Sequence, residues 1–215
     1  MSILCYIVVA IAAYLLGSIP TGFLVGKARG IDIRAVGSGN IGAANTFRAI
    51  GRGAGIFVLV IDALKGFAAV EVCSLFLRCF GLADSGGAIH YRVVAGIFAV
   101  IGHNYTCWLN FKGGKGIATT AGVYLALAPW AVGLAVAAFV VAVLLTRYTS
   151  VGSMSGAIVL TVVVGLMQRD FALKAVTIGL CILAIFKHRA NIRRLIAGTE
   201  NRIEFGKRRM TKSGS

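Results

Sequence analysis

Seven apolar runs account for most of this chain: Ile3–Val25, Ala54–Phe80, Val93–Leu109, Gly116–Ala128, Trp130–Thr146, Val151–Met167 and Phe171–Phe186. A helix needs about 20 residues to cross the hydrocarbon core of a bilayer, and lipid offers no partner for open backbone N–H and C=O groups. Such a chain is constrained to helices packed within a membrane. It is 58% hydrophobic and 13% charged, where a soluble domain runs at about 45–50% and about 25%. The run Gly116–Ala128 is short, but joined to the next it would overshoot one crossing, so Pro129 is expected to separate two helices. The expected fold is an all-α integral membrane protein of about seven transmembrane helices. One membrane domain covers residues 1–202, and a basic tail covers 203–215.

Lys and Arg number 22 against seven Asp and Glu, a formal net charge of +15. In a soluble protein that excess would suggest nucleic acid. Between apolar runs it suggests membrane orientation and anionic ligands or headgroups instead, and no nucleic-acid partner is expected. With seven crossings and an outside N-terminus, one side holds Lys27, Arg29, Arg34, Arg48, Arg52, Lys112, Lys115 and Arg147, together with the nine Lys and Arg between Lys187 and Lys212. The other side holds only Arg78, Arg92, Arg169 and Lys174. The positive-inside rule therefore places the C-terminus and all the polar segments in the cytoplasm.

The first run has no positive residue before it and exceeds the core length of a cleavable leader, so it is read as a span. Cys5, Cys73, Cys79, Cys107 and Cys181 are scattered without a CxxC pair, which supports neither a disulfide framework nor a zinc site. Small residues such as Gly17–Ser18 and Gly152–Gly156 are read as helix packing.

Three polar segments interrupt the apolar pattern. Gly37–Arg52 holds Gly37, Gly39 and Gly42 in a GxGxxG pattern with Asp62 downstream, but Asp62 lies inside an apolar run and no βαβ unit surrounds it. The glycines instead allow successive N–H groups to converge on an anion. Ser38, Gly39, Asn40 and Asn45 are candidate phosphate ligands, and Arg48 adds a guanidinium suited to bidentate contact. In Gly102–Thr120, the stretch Lys112-Gly-Gly-Lys115-Gly116 fails the Walker pattern, since Lys115 is followed by Gly. Its two lysines still offer point charges on open backbone before a helix start. His103 and Asn104 precede them as supporting residues.

The third segment, Lys187–Arg202, carries His188 and Asn191 at helical i, i+3 spacing, with Glu200 beyond. Glu200 is expected to pair with a cation or orient a catalytic group. Arg193 and Arg194 are candidate headgroup anchors, as are the basic residues of Lys207–Lys212. Charges inside spans are expensive, so Asp62 and Lys65, three apart on one face, are expected to neutralise each other beneath the site or to act in it. An HxxxxD acyltransferase signature is absent: Ala95, Trp108 and Arg193 stand five residues after His90, His103 and His188. A carrier of a phosphorylated solute is the main rival function, but it would gather its binding groups at the bilayer centre.

The motifs match a family. Ser38-Gly-Asn-Ile-Gly-Ala-Ala-Asn45 with Arg48 resembles the first motif of the bacterial acyl-phosphate:glycerol-3-phosphate acyltransferases. Gly102-His-Asn with Phe111-Lys-Gly-Gly-Lys-Gly-Ile-Ala-Thr119 resembles the second, and His188-Arg-Ala-Asn191-Ile-Arg-Arg-Leu with Gly198-Thr-Glu200 the third. Asp62-Ala-Leu-Lys65-Gly66 is similar to a further family element, and Ala44 departs where the family usually has Thr.

The resemblance implies a seven-helix enzyme of the bacterial cell membrane with its site facing the cytoplasm. It would transfer a fatty acyl group from acyl phosphate to the 1-hydroxyl of glycerol 3-phosphate, using no cofactor and no metal. The resemblance also implies a soluble partner that forms the acyl phosphate. Ser38, Arg48 and a lysine of the second motif would hold phosphate, His188 and Asn191 would surround the glycerol hydroxyls, and Glu200 would orient them. The hydroxyl proton has two possible acceptors, His188 and an oxygen of the acyl phosphate.

Overall fold

A computed structural model describes residues 3–81 and 88–203. The expected tail residues Lys207–Lys212 lie outside the described residues. Within them the chain is helical, with α1 (Ile3–Ser18), α2 (Thr21–Ala28), α3 (Ala43–Ala49), α4 (Arg52–Cys79), α5 (Ala88–Asn104), α6 (Ile117–Leu127), α7 (Pro129–Thr146), α8 (Thr149–Met167), α9 (Phe171–Lys187) and α10 (Arg189–Ile196).

Each apolar run overlaps a helix, and the boundaries follow local chemistry. Pro129 occupies the first turn of α7, where its missing N–H costs nothing, and α6 ends just before it. The first run is not continuous: it breaks at Ile19–Pro20, because Pro20 has no N–H to extend α1. The third run is displaced from Val93–Leu109 to Ala88–Asn104. Its start extends through Arg92, whose guanidinium is met by Glu71 at 3.3 Å and by the Ala126 carbonyl at 3.0 Å. Its end comes early because Thr106 turns out of the helix, donating to the Ser18 carbonyl at 2.6 Å. Just beyond the last run the chain bends by 52° between α9 and α10, at His188.

The interior is apolar and closely packed. Val70, Ala95, Ala99, Val123, Tyr124 and Val164 belong to one buried cluster. Helices approach closely where side chains are missing. A Cβ on Gly102 of α5 would strike the Tyr14 carbonyl of α1, and one on Gly122 of α6 would strike the Ala63 carbonyl of α4.

The outside is also apolar. Leu145 and Leu166 are 80% exposed and Phe171 is 83% exposed, an arrangement that water would penalise and lipid covers. Ile3–Ala28 (taken across the Pro20 break), Pro129–Thr146 and Thr149–Met167 are long and apolar enough to cross a membrane, and a fourth such segment results if α9 and α10 count as one bent span. The chain is thus a helical, multi-pass membrane protein.

Candidate active site

The Gly37–Gly42 loop is shaped from within. Gly37 and Gly39 take φ of 60° and 68°, a region that side chains disfavour. Asn45, buried at the start of α3, accepts the Ser38 N–H at 2.9 Å through Oδ1, and its Nδ2 donates to the carbonyls of Ile33 and Val36 at 3.1 and 3.0 Å. Asn40 Oδ1 accepts the Gly42 N–H at 2.8 Å. The carboxamide of Asn45 is therefore spent on holding the loop, whereas Ser38 is only half-buried and Gly39 is exposed. Arg48 leaves α3 with its charge felt at Glu200, Arg194 and Lys115.

The second segment folds back onto the end of α5. The His103 carbonyl accepts the Gly114 N–H at 2.9 Å, and the Asn104 carbonyl accepts the Gly113 N–H at 3.2 Å. This turn separates the two lysines. Lys112 is exposed, whereas Lys115 turns inward and its Nζ donates to Asn191 Oδ1 at 2.5 Å. Burial lowers the Lys115 pKa to about 8, with Arg194 and Arg48 pushing the same way and Glu200 opposing.

The third segment completes the cluster. Glu200 Oε1 accepts from Asn191 Nδ2 at 2.6 Å and from Ser150 Oγ at 2.8 Å, and its Oε2 accepts from Arg194 Nε at 2.8 Å. Burial would raise the Glu200 pKa, but these three donors outweigh it and hold the carboxyl below its ordinary value. His188, 2% exposed, sits at the bend with Nδ1 2.7 Å from the Ala184 carbonyl. That contact places the proton on Nδ1 and leaves Nε2 as the acceptor. Burial, with the nearby Lys115 charge, lowers the His188 pKa to about 4, so the ring is neutral at pH 7.

Beneath this cluster, Asp62 and Lys65 pair at 2.9 Å, and His103 Nδ1 stands 3.6 Å from Asp62 Oδ1. The structure thus brings together Lys115, His188, Asn191 and Glu200, with Arg48 facing them electrostatically. No hydrogen bond among the described residues joins Ser38, Gly39 or Asn40 to that group. Four participants escaped the sequence reading of the site: Ser150, Thr21, Lys187 and Arg194. Arg194, expected at headgroups, is instead turned onto Glu200. Lys187 lies 4.1 Å over the Tyr105 ring and donates to the Asn104 carbonyl at 2.8 Å. A cavity of about 320 Å³ lined by Glu71, Ser74, Arg78 and Arg92 lies at the far end of α4, away from these residues.

The glycerol-3-phosphate acyltransferase family profile matches residues 7–198. The chain belongs to the glycerol-3-phosphate acyltransferase family. Similar relatives include the glycerol-3-phosphate acyltransferase of Geobacter sulfurreducens, 45% identical over 92% of this chain and 97% of the relative. That of Geobacter metallireducens is 48% identical over 89% and 94%, and that of Fusobacterium nucleatum 35% identical over 95% and 100%. Among solved structures, PlsY (YgiH), an integral membrane glycerol 3-phosphate acyltransferase, in its glycerol 3-phosphate form matches with a TM-score of 0.84 and 35% identity, covering 93% of this chain and 96% of that one. Its lysophosphatidic acid form matches with a TM-score of 0.81. The protein is accordingly a membrane acyltransferase of phospholipid synthesis, and the carrier reading is set aside.

Proposed function

We propose that the protein transfers a fatty acyl group from acyl phosphate to the 1-hydroxyl of glycerol 3-phosphate, giving lysophosphatidic acid and inorganic phosphate. The observation that carries this reading is the convergence of cations from three polar segments (Arg48, Lys115 and Arg194) on one carboxylate-ordered cluster at the ends of apolar helices. Two phosphorylated substrates call for such a cluster, and an acyl chain calls for the lipid-facing helices beside it.

In the reaction, the glycerol oxygen attacks the acyl carbonyl carbon, the carbon–oxygen bond to phosphate breaks, and the phosphate leaves with the electron pair. Ser38, Gly39, Asn40, Arg48 and Lys115 bind phosphate oxygens, with exposed Lys112 at the approach. Asn191 and His188 surround the glycerol hydroxyls, Glu200 orients Asn191, and Ser38 belongs with this catalytic set. Asn45 supports the phosphate loop rather than touching substrate. A neutral His188 of low basicity suits a positioning role, with the hydroxyl proton passing to a phosphate oxygen of the donor. Cationic groups fixed beforehand then stabilise the charge that develops on the leaving phosphate.

The chain crosses the bacterial cell membrane seven times, through α1 with α2 and through α4 to α9, as one domain over residues 1–202 followed by a basic tail. The N-terminus is outside and the site faces the cytoplasm. The charge asymmetry of the loops supports this orientation. A soluble enzyme that forms acyl phosphate is the supplying partner. The test supplies purified protein with labelled glycerol 3-phosphate and, in separate arms, acyl phosphate, acyl-CoA or acyl carrier protein thioester. Lysophosphatidic acid is expected from acyl phosphate alone, and product from a thioester but not from acyl phosphate would refute the reading.

A further inference from the structure

A buried ion pair that no step of this reaction uses lies under the Lys115 loop. Asp62 and Lys65 are 2% and 5% exposed, one turn apart on α4. Burying charge in an apolar helix is costly unless the pair is also hydrogen-bonded to its surroundings. This one reaches three other elements. Thr21 of α2 donates to Asp62 Oδ1 at 3.0 Å, and Lys65 Nζ donates to the Ile19 carbonyl, at the break after α1, at 2.8 Å. His103, in the last turn of α5, brings its Nδ1 to 3.6 Å from the same Oδ1.

The last turn of α5 is in turn the platform of the lysine loop. The His103 and Asn104 carbonyls hold the Gly114 and Gly113 N–H groups, and Lys187 fixes the Asn104 carbonyl from α9. The imidazole itself lies against the turn: a Cβ on Gly114 would overlap His103 Nε2. The next residue is Lys115, whose Nζ meets Asn191.

We propose that Asp62 is a positioning residue for Lys115. With its charge balanced by Lys65, it backs His103 by close approach (3.6 Å, beyond hydrogen-bond distance) and through the His103 ring supports the Gly113–Gly114 turn at the depth that sets Lys115 Nζ on Asn191. The inference rests on reading Lys115 as a substrate-phosphate ligand, but its principal test does not require turnover. The charged groups facing Lys115 are Arg48 from α3, Arg194 from α10, and Glu200 beyond it, with His188 also within range of its charge. Burial is the largest influence on its titration, so the midpoint reports how deep the loop sits.

The experiment follows Lys115 in full-length protein in detergent, reading modification by an amine-reactive reagent against pH by peptide mass spectrometry. Asp62→Asn strands the Lys65 charge in an apolar helix, so two further variants accompany it. Asp62→Asn/Lys65→Met removes both charges, and His103→Ala leaves the pair intact. In the wild type the midpoint is expected at about 8. In the folded variants it should rise by about one pH unit or more as the lysine loosens towards solvent, with kcat/KM down about tenfold or more. Variants that melt at lower temperature while Lys115 keeps the wild-type midpoint would overturn the proposal and leave the pair a purely structural one. A wild type that titrates as expected but forms no lysophosphatidic acid would instead overturn the functional reading.

Discussion

Lys115 and Asn191 meet through a 2.5 Å Nζ–Oδ1 hydrogen bond across 76 residues of sequence. The contact joins the loop between α5 and α6 to the first turns of α10. Asn191 passes it on to Glu200 through its own Nδ2 at 2.6 Å. A lysine, an amide and a carboxylate from two of the three polar segments are thereby held in one hydrogen-bonded chain.

The two lysines of the second segment should differ sharply. Removing the inward-turned cation in Lys115→Gln is expected to lower kcat/KM by about 10²–10³-fold, the scale of losing a fixed charge-stabilising donor. Lys112→Ala, at an exposed position, should stay within about fivefold. Initial-rate measurements on both variants check the contrast, and equal losses would contradict the inward placement of Lys115.

Glu200→Gln replaces one acceptor oxygen with a donor where Asn191, Ser150 and Arg194 all donate. We expect a stability loss of about 1–3 kcal/mol, seen as a lower melting temperature, together with reduced activity. The folded-state pKa of Glu200 lies below its ordinary value. Its contribution is therefore fully present above the ordinary carboxylate range and is lost as pH falls through the lowered value. Melting temperature against pH should fall more steeply on acidification in the wild type than in Glu200→Gln.

The pH–rate profile should be governed on its alkaline side by Lys115, which loses its charge as pH rises through about 8. His188 takes up a proton only as pH falls through about 4, so it should contribute no limb near neutrality. His188→Ala is then expected to cost less than the roughly 10²–10⁴-fold of a lost general base and to keep the shape of the profile. Near-complete loss, with a titration near neutrality missing from the variant, would make His188 the proton acceptor.

Gly114→Ala places a methyl group on the buried His103 ring. Overpacking of this kind costs about 1–3 kcal/mol. The loop is expected to move, lowering the melting temperature and the rate together. An unchanged melting temperature would mean that the loop is not seated on His103.

The helices were legible because lipid-facing sequence is apolar over long stretches, and Pro129 marked the α6–α7 division. The α5 boundaries were not, because they depend on long-range partners: Glu71 for Arg92, and the Ser18 carbonyl for Thr106. Among site residues, glycine, asparagine and lysine clustering revealed the loops but could not say which lysine turns inward. Only the stitching of Gly113 and Gly114 to α5 separates them. Ser150 stands among small residues that otherwise read as helix packing, and nothing local distinguishes it. Arg194 did carry a signal: it follows Asn191 by three residues, so both lie on one face of α10, whereas Arg193 lies off that face. Asn45 is recognisable as a polar residue of the Gly37–Arg52 segment, but the loop carbonyls it binds become apparent only once the chain has turned at Gly37 and Gly39.

Acyl transfer between two phosphorylated substrates at one site ties the release of phosphate to the formation of lysophosphatidic acid. Its most direct test is simultaneous quantitation of lysophosphatidic acid and inorganic phosphate formed by purified protein from acyl phosphate and glycerol 3-phosphate. Equal amounts of the two products are expected, both lost when glycerol 3-phosphate is withheld and both strongly reduced in Lys115→Gln. Phosphate release without lysophosphatidic acid, or no product under conditions where the protein is folded, would contradict it.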